Sequence, residues 1–106
     1  MPAFILIVAL VAAALSCAPD LASAADSVPK FDIARECQSE GGSKAVQEKC
    51  AEDEAAARDQ VQPLWAQSSA ADKRTCVGET SVDGTPSYVE LLTCLEMARD
   101  VKKLSK

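Results

Sequence analysis

Between Glu79 and Glu90 the chain carries oxygen-bearing side chains at intervals that could ligate a cation. With Glu79 as the first position, Ser81 is third, Asp83 fifth, Gly84 sixth, Thr85 seventh, Ser87 ninth and Glu90 twelfth. This is the ligand spacing of a helix–loop–helix calcium loop, which surrounds a hard cation with oxygen. Two residues depart from it. Glu79 is longer than the Asp that the tight first position takes, and Pro86 at the eighth position removes a backbone N–H. The same stretch reads as an Asp-Gly turn followed by a capped helix, which requires no ion. The turn is therefore expected to be structural, with weak calcium or small-ligand binding as the alternative.

Other chemistry is poorly provided for. Histidine is absent, so neither a cysteine nor Ser87 has an imidazole base, and Ser87 does not sit in a Gly-x-Ser-x-Gly elbow. The cysteines Cys37, Cys50, Cys76 and Cys94 are separated by twelve, twenty-five and seventeen residues, unlike the short paired spacings of zinc sites or redox dithiols. Carboxylate pairs such as Asp53 with Glu54, or Glu90 with Glu96, fall on expected helix surfaces, where water keeps them ionised. Trp65, Tyr88 and Met97 are candidates for an interaction surface, weighed against a place in the core. No catalytic residue, metal ligand set or cofactor motif is assigned.

Charge and the first residues bound the compartment and the partner. Residues 4 to 15 form an unbroken apolar run, followed by Pro19 and by Ala22-Ser23-Ala24, the pattern of a secretory leader cleaved after Ala24. The run is too short to span a bilayer, so no stable membrane span is expected. Lipidation of Cys17, making the protein a lipoprotein, is the minor reading. Eleven Lys and Arg stand against sixteen Asp and Glu, a net charge of −5, and loss of Asp20 with the leader leaves −4. That balance argues against nucleic acid as a partner. The expected organisation is a signal peptide over 1–24, a flexible lead-in over 25–30 and one helical domain over 31–106, periplasmic or secreted.

Four cysteines then remain in about 80 residues, an even count that reads as two disulfides in an oxidising compartment. A domain this small buries only about 60% of its unfolded surface and needs such braces.

Helical signals punctuate the domain. Phe31 to Cys37 reads as a short helix with Ile33 and Cys37 on one face, stopped by Gly41-Gly42. Ser43 caps a second helix whose apolar face is expected to run through Val46, Cys50, Ala57 and Val61, with Glu52, Asp53 and Glu54 facing water. Pro63 should end or kink that helix near Val61 and place Trp65 at a bend. Ser69 opens a third helix reaching about Gly78. The fourth runs from Pro86 to about Leu104, capped by Thr85 or by Ser87 with Glu90 reaching back, and Val101 and Leu104 extend its apolar stripe. Ser43 precedes Cys50 by seven residues, as Ser87 precedes Cys94, which favours pairing Cys37 with Cys50 and Cys76 with Cys94 across two helical hairpins. The crossed connectivities stay open. The fold class is all-α: a small helical-hairpin bundle of about four helices stapled by two disulfides.

The run Phe31-Asp32-Ile33-Ala34-Arg35-x-Cys37, then Cys50, Asp53-Glu54-x-Ala56-x-Arg58, Trp65, Ala71-Asp72-Lys73, Cys76 and Gly84 to Met97 resembles a family of small exported four-cysteine bacterial proteins. That resemblance implies export and brings no function. The pattern Cys37, Cys50, Trp65, Arg74-x-Cys76 and Cys94-Leu95 is also similar to the lysozyme-inhibitor LprI-like family, with a longer interval between the last two cysteines. It implies inhibition of a muramidase as an alternative. The leading expectation is a non-catalytic binding or structural module with a protein partner in the cell envelope or outside the cell.

Overall fold

A computed structural model describes residues 27–105; the expected leader and Cys17 lie outside them. Among the described residues the elements are α1 (Ile33–Glu40), α2 (Lys44–Gln67), α3 (Ala70–Thr80) and α4 (Tyr88–Leu104), with no strand. The domain is all-α, as the helical spacing indicates.

Each helix begins where a short polar side chain can take up an orphan amide. Asp32, Ser43, Ser69 and Ser87 accept from the backbone N–H three residues on, at Arg35, Val46, Asp72 and Glu90 respectively. The stop between α1 and α2 depends on glycine: Gly41 and Gly42 have φ of 75° and 95°. At Gly42 a Cβ would also lie 2.9 Å from Val46 Cγ1.

The disulfides are Cys37–Cys50, joining α1 to α2, and Cys76–Cys94, joining α3 to α4. Their Cα–Cα distances of 5.7 and 5.5 Å are ordinary for bridged residues. Each closes one helical hairpin, the connectivity the serine–cysteine spacing favours.

The core lies where α4 packs on α2 and α3. It contains Ala57, Val61, Leu64 and Trp65 of α2, Cys76 of α3, and Tyr88, Leu91 and Leu95 of α4. Val61, Leu91 and Leu95 are wholly buried. Tyr88 also ties down the stretch before α1. Its hydroxyl donates to the Pro29 carbonyl at 2.8 Å and accepts from the Phe31 amide at 2.9 Å, and the two rings lie 4.7 Å apart. That part of the expected lead-in is packed against α4.

Three local expectations are corrected, and at the start of α4 one of two expected caps is found. Helix α2 continues through Pro63 to Gln67, so Trp65 lies within the last helical turn and not at a helix-ending bend. Proline removes one backbone bond on the exposed side, while Leu64 and Trp65 on the buried side hold that turn in the core. Val46 is 56% exposed, because it precedes the part of α2 that α4 covers. Helix α4 starts at Tyr88 with Ser87 as its cap; Thr85 belongs to the preceding turn, where its amide and hydroxyl both donate to Asp83 Oδ1. Val101 and Leu104 continue the apolar spacing of α4 but are exposed.

Candidate functional site

The expectation that Glu54 faces water with Glu52 and Asp53 is overturned. Glu54 is 4% exposed and lies under the start of α4. Position 54 is on the same helical face as Ala57, Val61 and Leu64, at intervals of three, seven and ten residues, so the core stripe of α2 begins with a carboxylate.

That carboxylate caps a second helix. Its Oε1 accepts from the Ser87 hydroxyl at 2.5 Å and, more weakly, from the Val89 amide at 3.5 Å, while its Oε2 accepts from the Tyr88 amide at 2.6 Å. Orphan amides and the positive end of the helix dipole make this a favourable place for a negative charge. The expected capping box is relayed. The Ser87 amide donates to Thr80 Oγ1 at 2.8 Å, and the Thr80 hydroxyl lies 2.9 Å from a Glu90 carboxylate oxygen. Thr80 is itself buried at the end of α3. Thus α2, α3 and α4 meet in one polar knot whose groups satisfy one another.

This arrangement uses the side chains that the cation reading would need. Asp83 accepts from Thr85, Ser87 donates to Glu54, and Glu90 faces Thr80. Among the described residues no group of three or more His, Cys, Asp or Glu side chains is placed to hold a metal ion.

Glu36 is a different case. It is 4% exposed, and its Oε2 has no hydrogen-bond partner. Burial pushes its carboxyl above the ordinary 4.5, partly offset by a hydrogen bond with Thr85 and reinforced by Glu40 and Glu54. The folded chain therefore retains this proton to a higher pH than the unfolded chain does. Stability contributed by this residue falls as pH rises from 4.5 through the folded-state value, and is lowest above it. Glu36→Gln is expected to remove that decline and to raise stability near neutrality by about 1 kcal/mol, read from urea midpoints across the acid range.

Trp65, Tyr88 and Met97 do not form one surface. Trp65 and Tyr88 are 5% and 2% exposed within the shared core, whereas Met97 is 64% exposed on α4. Met97 borders a shallow groove between α3 and α4, beside the Cys76–Cys94 bridge and Val101. At one edge Lys102 pairs with Asp72 at 2.7 Å, and this contact holds the Asp72 carboxyl below its ordinary value.

Trp65 instead borders a larger groove of about 770 Å³. One wall is the non-helical stretch Ser27 to Lys30, the other is α3 from Ala70 to Gly78, and Trp65 lies between them. Val28, Pro29, Ala70 and Val77 make the lining largely apolar, while Lys30, Lys73 and Arg74 bring positive charge. Lys73 Nζ lies 5.1 Å from the centre of the Trp65 ring, within cation–π range. The volume falls within the range of ligand clefts, about 300–1,000 Å³.

Comparison with protein families, with curated protein sequences and with solved structures finds no match to the chain. Among the described residues no helix is long and apolar enough to cross a membrane.

Proposed function

We propose that the protein is exported to the periplasm or beyond the cell and acts there as a binding module, holding a protein partner without transforming it. The observation that carries this reading is the Trp65 groove: a largely apolar cleft of ligand size, edged by charge, on a scaffold braced by two disulfides. The buried polar knot supports the same reading, since Glu54, Thr80 and Ser87 bond to one another and to the backbone of α4.

The test is to fill the groove without disturbing the fold. Gly78 lines it, and a Cβ built there meets nothing within 4 Å. Gly78→Phe therefore places a ring in the cleft while relieving a helix of its glycine. Peptides selected on an array with the oxidised protein are expected to lose binding to Gly78→Phe and to keep it with Met97→Glu. Retention by Gly78→Phe would contradict the reading.

Export makes a separate expectation. Protein recovered from its own producing cells should begin at Ala25 and contain no free thiol at its four remaining cysteines, as read by non-reducing mass spectrometry. An acyl mass on Cys17 would instead place it at a membrane. Muramidase inhibition, implied by the resemblance to LprI-like proteins, is tested by adding the oxidised protein to lysozyme at micromolar concentration; undiminished turnover removes that alternative.

A further inference from the structure

We propose that the outward face of α4 joins two copies of this chain, antiparallel about a two-fold axis, through Met97, Val101 and Leu104. These residues are 64%, 63% and 85% exposed, and they are half of the six large apolar side chains exposed among the described residues. Intervals of four and three residues put them on one helical stripe, on the side of α4 away from the buried Leu91 and Leu95. Every residue from Arg99 to Ser105 is exposed, so neither α2 nor α3 covers the end of this stripe. Single apolar side chains at a surface are ordinary, whereas a contiguous row marks a contact face. The face shares no residue with the Trp65 groove and is independent of the binding-module reading.

Charge selects a second copy as the occupant and fixes its direction. Glu96, Asp100 and Lys103 follow one flank of the stripe at intervals of four and three residues. With two α4 helices antiparallel and Val101 beside its symmetry mate, Met97 of each copy lies against Leu104 of the other. Lys103 of each then comes between Glu96 and Asp100 of the other. A two-fold axis makes each of these contacts twice, so a short patch becomes self-complementary. Parallel pairing would set Glu96 against Glu96 and Lys103 against Lys103, and would align the two helix dipoles. Among the described residues neither Glu96 nor Lys103 has an ion pair within the chain, whereas Lys102 is taken by Asp72 at 2.7 Å.

The patch is small, which places the dimer at the weak end of specific interfaces. The full chain, expressed for export and purified oxidised, is followed by sedimentation equilibrium. Its mass is expected to rise from one chain towards two over roughly 10 μM to 1 mM. Met97→Glu, at an exposed position outside the core, should weaken association by about tenfold with helical circular dichroism unchanged. Glu96→Lys and Lys103→Glu should each weaken it by about threefold, and the double swap Glu96→Lys/Lys103→Glu should restore it.

A monomer throughout this range would overturn the proposal, and a dimer indifferent to Met97→Glu would do so by placing the interface elsewhere. A dimer that Met97→Glu breaks but the double swap fails to restore would overturn the antiparallel arrangement. A monomer still carrying residues 1–24, in which Met97 resists oxidation by peroxide, would give the face to the chain's own leader instead.

Discussion

Replacing both cysteines of the Cys76–Cys94 bridge by serine is expected to cost about 3 kcal/mol, read as a fall in urea midpoint with a steeper slope, because the unfolded chain without the cross-link exposes more surface. The closed stretch has a sequence separation of 18 residues, and tying its ends removes entropy from the unfolded chain. Because Cys76 is almost wholly buried in the main core, the substitution also puts a hydroxyl among Val61, Leu91 and Leu95. The Cys37–Cys50 bridge closes a similar separation of 13 residues, with a similar entropic contribution. Its loss should show differently. Helix α1 has eight residues, fewer than the roughly 12–15 that an isolated helix needs in water, and it is joined covalently to α2. Cys37→Ser/Cys50→Ser should therefore release α1 locally, seen as rapid amide exchange over residues 33–40, before the rest of the bundle melts. Reduction of both bridges removes about 6 kcal/mol, within the whole stability usual for a small domain, so helical circular dichroism should collapse on reduction and alkylation.

Glu54→Ala is expected to cost about 3 kcal/mol, far more than truncating a surface glutamate. Removing the carboxylate leaves the Ser87 hydroxyl and the Tyr88 amide, both buried, without their acceptor. Tyr88 also holds Pro29 and Phe31, so the stretch that walls the Trp65 groove should loosen with it. Glu54→Gln should cost less, since its amide oxygen can still accept from Tyr88, but it loses the charge that favours the helix start. Ser87→Ala should cost about 1 kcal/mol alone. Combined with Glu54→Ala it should add less than its single cost, because the two side chains share one bond.

Helix caps, glycines and cysteine spacing made much of the fold legible. Ser43, Ser69 and Ser87 mark helix starts, Gly41-Gly42 marks a stop, and both hairpin bridges follow from cysteines on facing helices. Proline misled because its local cost was weighed without the packing of Leu64 and Trp65 that holds its helix together. Glu54 misled for the opposite reason. Its neighbours Glu52 and Asp53 suggested a solvated acidic face, yet its interval to Ala57 and Val61 already placed it on the core stripe. The groove was not legible, since it joins Val28 to Lys30, Trp65 and α3 from three separate parts of the chain.

The central claim is that the buried carboxylate of Glu54 seats α4 against α2. Native-state hydrogen exchange at the Tyr88 amide tests it most directly, because an amide at a helix start is ordinarily among the first to exchange. The account expects this proton to exchange nearly as slowly as the core amides of Leu91 and Leu95, and to become fast in Glu54→Ala. A Tyr88 amide that exchanges freely in the unaltered protein, or at the same rate with and without Glu54, would contradict it.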